Sequence, residues 1–243
     1  MMFLNNNFLR GSLKLYRYKL KAHSFLLYSL IAAQLLALLF SLGGTSHMAS
    51  SNGEVSVTLN MYSASLVIAF TLFWIFFVSY QLPTSRYKKL ERPLVVNSLS
   101  GSVSDIGFLL TACVFGGITS SLFGIILRIF VFVRSNPAQI LHDHFFLTLG
   151  DLLIGMAAGI MYMVVISAIG YLMGMLVRIS MAFILIIPAI LFGLIRVYTN
   201  SMQHFLEYFT AESSLPLFIL KIIAATIIVY GASILLSDRK ELA

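Results

Sequence analysis

The sequence predicts an all-α integral membrane protein: six transmembrane helices preceded by an N-terminal amphipathic interfacial helix. Three observations predict it. Of 243 residues, 59% are hydrophobic and 10% charged, against about 25% charged in a soluble domain. The apolar residues gather into runs of about 20, the length that crosses a bilayer. The basic residues gather between those runs, mostly on what becomes a single side of the membrane.

These features leave room for two parts, an amphipathic segment over residues 1–23 and a six-span domain over 24–243, with no separate soluble domain. The net charge of +7 sits beside apolar spans. It therefore points to anionic lipid headgroups and cytoplasmic orientation rather than to nucleic acid. The one cysteine, Cys113, lies inside an apolar run, so no intrachain disulfide forms. The first apolar run is expected to stay in place rather than be cleaved, because a long basic amphipathic segment precedes it.

In residues 8–22, Leu9, Leu13, Tyr16 and Leu20 fall on one helical face, and Lys14, Arg17 and Lys21 on another. That is the pattern of a helix lying at a membrane surface. The spans are expected at about 24–42, 61–82, 106–127, 146–169, 177–195 and 215–236. A polar loop without Lys or Arg joins the first two. The third is expected to exit near Leu127, because Arg128 at the bilayer centre would cost about 2.5–3.5 kcal/mol. A turn of a few residues separates the fourth and fifth spans, and Pro188 should kink the fifth. Ser214 before Leu215-Pro216 caps the sixth.

Counting bases gives the orientation. With the N-terminus inside, the cytoplasmic set is Arg10, Lys14, Arg17, Lys19, Lys21, Arg86, Lys88, Lys89, Arg92, Arg178, Arg239 and Lys240. The outer set is Arg128, Arg134, Arg196 and Lys221. Both termini are therefore expected in the cytoplasm, with the chain multi-pass in the cell membrane. Small residues mark packing faces, where helix backbones approach closely in lipid: Gly116 and Gly117 in the third span, Gly155 and Gly159 in the fourth, then Gly170 and Gly174.

The inventory of reactive groups is short. There is no GxxxxGK[ST], no HExxH and no GxSxG, so neither an enzyme nor a nucleotide-binding chain is expected. His142-Asp143-His144 is the one His/carboxylate cluster, and it has no distant partner ligand, so a metal site is not expected. Asp151 and Arg128 lie near outer ends of spans, where a structural role is commoner than proton coupling. Gln34 in the first span either lines a cavity or cross-links helices. The basic loop after the second span is different. It packs Arg86, Lys88, Lys89 and Arg92, four of the chain's 16 Lys and Arg, into seven positions. Two helical turns there put Tyr87, Leu90 and Leu94 on one side and Lys88, Lys89 and Arg92 opposite. Ser102 or Ser104, followed by Asp105, then reads as the cap that starts the third span.

At this loop the chain resembles the type-2 permeases of ATP-binding-cassette exporters. In that family a basic stretch after the second span leads through a Ser-Leu-Pro-x-Ser-type segment into the third. Here RYKKLERPLVVNSLSGSVSDI matches at Asn97-Ser98-Leu99, with Ser100 in place of the proline and Val103 where a basic residue is common. The basic N-terminal helix and the six spans with both ends inside complete the likeness.

The resemblance implies a transmembrane subunit that docks a separate cytoplasmic ATP-binding subunit. The docking stretch would comprise Arg86, Tyr87, Lys88, Lys89, Leu90, Glu91, Arg92, Asn97, Ser98 and Leu99. It implies a second permease subunit, identical or different, and ATP and Mg on the partner rather than any cofactor on this chain. The first, second and fifth spans would surround a path for a peptide, antimicrobial or lipid-like substrate moving outward. A non-transporting membrane sensor or assembly protein that docks a cytoplasmic regulator is the alternative. An intramembrane enzyme is disfavoured by the lack of paired catalytic residues in the spans.

Overall fold

A computed structural model of the chain describes residues 2–43, 46–51, 56–84, 98–134, 148–197 and 214–239. In order these form α1 (Met2–Ala22), α2 (Ser24–Ser41), β1 (Ser46–Ser51), β2 (Ser56–Met61), α3 (Ser65–Gln81), α4 (Ser98–Arg134), α5 (Leu149–Ile179), α6 (Phe183–Val197) and α7 (Leu215–Arg239). Four helical stretches are long and apolar enough to cross a membrane: Ser24–Ser41, Leu99–Arg134, Leu149–Ile179 and Pro216–Leu236. α3 is a shorter apolar helix of 17 residues. α6 has 15 residues with Pro188 inside it, fewer than the ~20 of an ordinary crossing.

Several boundaries differ from expectation, each for a physical reason. Where a polar loop was expected, β1 and β2 pair antiparallel, from Ser46 opposite Met61 to Ser51 opposite Ser56. The second strand and its approach alternate apolar and polar residues at Val55, Val57, Leu59 and Met61, and Asn52-Gly53 falls between the strands. Both are strand-and-hairpin signals. The second helix therefore starts at Ser65 rather than near Met61.

α4 does not end at Leu127 but runs on through Arg128 to Arg134. A helix satisfies its own backbone on either side of the hydrocarbon boundary, so leaving lipid does not require leaving the helix. Arg134 in its last turn also suits the negative end of the helix dipole. At the other end α4 begins at Ser98, so Ser102, Ser104 and Asp105 are interior positions and not its cap.

The turn expected between 169 and 177 is helical as well. α5 continues to Ile179, and the break falls at Ser180, whose N–H donates to Leu176 O at 3.1 Å while its carbonyl accepts from the Phe183 N–H at 3.2 Å. Gly170 and Gly174 lie inside that helix and pack closely against α3, the use their spacing suggests. Side chains there would collide with Ser79 Oγ and the Phe76 carbonyl, and with the Tyr80 carbonyl and Pro83.

The chain divides into two units. One comprises Met1–Lys21, Phe76–Leu110 and Val164–Ala243; the other comprises Ala22–Ile75 and Thr111–Met163. Both are inverted relative to a soluble core. Leu149, Leu185 and Val133 stand more than three-quarters exposed, whereas Lys19, Gln34, Thr71, Ser102, Asp105 and Ser167 are buried. Lipid as the outer solvent accounts for this, because apolar burial then gives no drive to pack and polar contacts hold helices together.

In the second unit, Gly116 and Gly117 meet α5 closely. A Cβ on Gly116 would lie 3.2 Å from Met163 Sδ, and one on Gly117 would overlap Ile160. Around Gly155 and Gly159, by contrast, a Cβ would meet nothing within 4 Å. Gly117→Leu should therefore destabilise the protein by about 1–3 kcal/mol through overpacking. Gly155→Leu should stay within about 0.5 kcal/mol of the parent. Thermal unfolding in detergent, the two variants side by side, measures the contrast; equal shifts would contradict this packing.

Candidate functional site

Two polar clusters are built into otherwise apolar helices. The first, in the unit containing α1, starts from the helical repeat. Ser12, Leu15 and Lys19 are all buried and lie within about 60° of one another around the α1 axis. Lys14, Arg17 and Lys21 point away and are exposed. α1 thus turns a mixed polar and apolar stripe inward and keeps its other bases outside, with Leu13 and Tyr18 about half exposed among them.

The stripe meets the first two turns of α4. Ser12 Oγ and Ser100 Oγ share a hydrogen bond of 2.7 Å. Lys19 Nζ donates to Asp105 Oδ1 at 2.5 Å and lies 3.4 Å from the Gly101 carbonyl. The ion pair is almost fully enclosed, its side chains 1% and 2% exposed. Gly107 faces the Tyr16 ring, and a Cβ there would make an ordinary contact at 3.4 Å.

Asp105 also binds α5, since Tyr171 donates its hydroxyl to Oδ2 at 3.3 Å. The Tyr171 ring lies against Tyr230 of α7, centroids 6.0 Å apart, and Tyr230 OH shares a 2.7 Å hydrogen bond with Ser167 Oγ. One carboxylate therefore ties α1 to α4 and α5, and the tyrosine pair extends the tie to α7. Enclosure makes the arrangement specific rather than deeply stabilising. Desolvating both charges offsets most of their attraction, but removing one leaves the other buried alone.

The second cluster, in the unit containing α2, centres on Gln34, which is fully buried. Its Nε2 donates to Thr71 Oγ1 on α3 at 3.1 Å and to Thr119 Oγ1 on α4 at 3.0 Å, and lies 3.5 Å from the Gly116 carbonyl. Of the two roles open to Gln34 in the sequence, cross-linking helices is the one its amide nitrogen performs. Its carbonyl oxygen has no hydrogen-bond donor among the described residues. That is a state costing about 1–3 kcal/mol when nothing fills it.

Of the sequence-derived positions, Arg86, Tyr87, Lys88, Lys89, Leu90, Glu91, Arg92 and Asn97 lie outside the described residues. Their flanks are described: a turn closes α3 with the Thr84 N–H on Gln81 O at 3.0 Å, and Ser98 and Leu99 open α4. His142-Asp143-His144 also lies outside, and among the described residues no group of His, Cys, Asp or Glu could hold a metal. Asp151 accepts from Thr148 Oγ1 at 2.7 Å while the Asp151 N–H donates to the same hydroxyl oxygen at 3.2 Å, so the pair caps α5.

Sequence reasoning missed the Lys19–Asp105 pair by counting Lys19 with the surface bases and Asp105 with the caps. A signal was present. Lys19 projects about 140–160° around the helix from Lys14, Arg17 and Lys21, so it is the one base of that group on the opposite face. No protein-family model matches the chain, and no curated protein or solved structure is found similar to it.

Lys19→Met should cost about 3–5 kcal/mol by leaving Asp105 buried and unpaired. Lys19→Met together with Asp105→Leu should recover most of that loss. Chemical or thermal unfolding of the three proteins in detergent tests this; a double variant as unstable as the single one would contradict a paired role.

Proposed function

We propose that this chain is the transmembrane permease subunit of an ATP-binding-cassette exporter, moving an amphipathic or hydrophobic substrate outward with ATP hydrolysed by a separate subunit. The observation that carries the reading is where α1 is fastened. The Ser12–Ser100 and Lys19–Asp105 contacts hold the N-terminal helix to the first turns of α4. Those turns follow directly on the basic segment 85–97. A partner pressing on that segment would act on α4 and α1 together, and through Asp105 on α5.

Charge supports the same reading. Arg86, Lys88, Lys89 and Arg92 offer a cationic docking surface, and the sequence holds no P-loop of its own to supply the energy. Even with Lys19 set aside, eleven bases are assigned to the cytoplasm by sequence, against Arg128, Arg134, Arg196 and Lys221 outside. This excess supports an arrangement with both termini in the cytoplasm. The four long helices then cross the bilayer, with α3 and α6 as the two shorter crossings. α1 lies along the inner surface, its exposed bases among anionic headgroups. ATP and Mg belong to the partner, and a second permease subunit completes the path.

Reconstitution with the ATPase subunit tests the reading. Substituting Lys88, Lys89 and Arg92 together by Ala should weaken the apparent affinity for that subunit by about tenfold and lower substrate-stimulated ATP hydrolysis while membrane insertion stays intact. Unchanged hydrolysis would remove the docking assignment, and brisk transport by the permease alone on a pH gradient would replace the exporter with a secondary transporter.

Orientation has its own measurement. In a background lacking Cys113, a cysteine at Ser51 should react with an impermeant thiol reagent from outside, and one at Ser237 only after the membrane is opened. The reverse pattern would overturn the termini-inside arrangement.

A further inference from the structure

We propose that the outward stripe of α1, built by Lys14, Arg17 and Lys21, is a binding position for an anionic phospholipid, which it selects by headgroup charge. At about 100° per residue the three bases fall within an arc of about 60°, over two turns and about 10 Å of helix. All three are exposed. The arc lies almost opposite Ser12, Leu15 and Lys19. The contacts with Ser100 and Asp105 that fasten one side of α1 therefore leave the bases facing away from α4.

The chain does not match this charge itself. Its first 53 residues contain five Lys and Arg and no Asp or Glu. Asp105, the carboxylate that α1 packs against, is already paired with Lys19. Among the described residues, no carboxylate forms an ion pair with Lys14, Arg17 or Lys21. Like charges at i,i+3 and i,i+4 spacing repel, and an anion laid across the stripe relieves that repulsion.

Two observations make the anion a lipid rather than a soluble acidic partner. Leu13 and Tyr18, each about half exposed, flank the basic arc about 40° to either side. A phospholipid sets its phosphate beside hydrocarbon, so one molecule meets the bases and these flanks together, and tyrosine is favoured at that level of a bilayer. Then α2, long and apolar enough to cross a membrane, begins at Ser24. From Lys21 to that point the chain can reach about 11 Å at most, which keeps the stripe near the headgroups. Phosphatidylcholine, whose cation offsets its own phosphate, suits the stripe less well. The inference goes beyond placing α1 at the membrane surface, because it assigns a retained lipid to named side chains. It rests on the exporter reading only in taking α2 as a crossing helix.

Binding is measurable on this chain alone. The full chain, purified in an uncharged detergent, is titrated at low salt with dihexanoyl phosphatidylglycerol while thermal unfolding is followed. Dihexanoyl phosphatidylcholine and glycerol phosphate are titrated separately. A ligand held only by the folded chain raises Tm, so the expected result is a saturable rise with phosphatidylglycerol and little change with the other two. Lys14→Gln should weaken the apparent Kd about fivefold, and neutralising all three bases to Gln about a hundredfold. Lys14→Arg with Lys21→Arg should retain binding. Arg134→Gln, at the far end of α4, should leave it unchanged.

An equal response to phosphatidylcholine, or an unchanged Kd in the triple variant, would overturn the proposal. So would a loss in Arg134→Gln as large as in Lys14→Gln, because charge anywhere on the chain would then suffice. Equal binding of glycerol phosphate or of polyglutamate would show a site for soluble anions or acidic proteins, and the lipid assignment would fail. Should the triple variant not fold, the single substitutions at the three bases decide. No ATPase subunit is present in any arm, so failure here leaves the exporter reading standing, and failure of ATPase docking leaves this binding intact.

Discussion

A charge enclosed in a membrane protein has to be met by an opposite charge, and the Lys19–Asp105 contact is where this chain meets that demand. Each ion alone would cost several kcal/mol to enclose, so α1 can settle against α4 only in the register that brings the two together. Ser12 and Ser100 fix the same register one and a half to two turns away. Because the second carboxylate oxygen receives Tyr171, the position of α5 follows from the same carboxylate. Hydrophobic burial, which chooses partners in a soluble core, has no such power when lipid is equally apolar. A few polar contacts therefore choose them here.

The cluster in the other unit works by a different economy. Threonine and serine hydroxyls return their protons to the carbonyls of their own helices, which leaves them as acceptors toward neighbours. An amide is then the useful partner, because its two N–H groups can reach two such helices at once. Gln34 does this for α3 and α4. Gly116 lies beside this cluster, where a Cβ would crowd Met163 Sδ at 3.2 Å and touch the Thr71 methyl at 3.4 Å. Glycine, hydroxyl and amide together do what large apolar side chains do elsewhere.

How far the sequence reveals this depends on the range of the signal. Composition and run length are local and strong, so the long helices and the start of α7 at Leu215 were legible. The β1–β2 hairpin was legible too, through Asn52-Gly53 and the alternation up to Met61, but its polar residues and lack of Lys or Arg made it pass for a loop. Gly170 and Gly174 were legible as packing positions from their spacing, but what they pack against depends on Ser79, Phe76 and Tyr80, which spacing does not reveal. Asp105 was read from its neighbours in sequence as a cap, whereas its true partner is 86 residues away. No periodicity carries that pairing, although the odd face of Lys19 was a visible half of it. Gln34 was recognisable as unusual in an apolar run, but which of its two ends would be satisfied depends on hydroxyls from two other helices.

The length of α4 has a consequence of its own. Its 37 residues measure about 55 Å, against a hydrocarbon layer of about 30 Å. Even at a tilt of 40°, the steep end of the usual range, such a layer takes up only about 39 Å of helix. Roughly ten residues must then stand beyond the acyl chains. The cheapest to leave there are 98–105, which hold four serines and Asp105. If α4 crosses the bilayer in that way, Asp105 would lie near the boundary where the dielectric changes most steeply. A thicker bilayer would draw that boundary over the enclosed ion pair and sharpen its attraction, and a thinner one would leave headgroups and water closer to it and weaken that attraction. Through hydrophobic mismatch, the fatty-acid composition of the host membrane becomes a physical setting on how firmly the N-terminal helix is held.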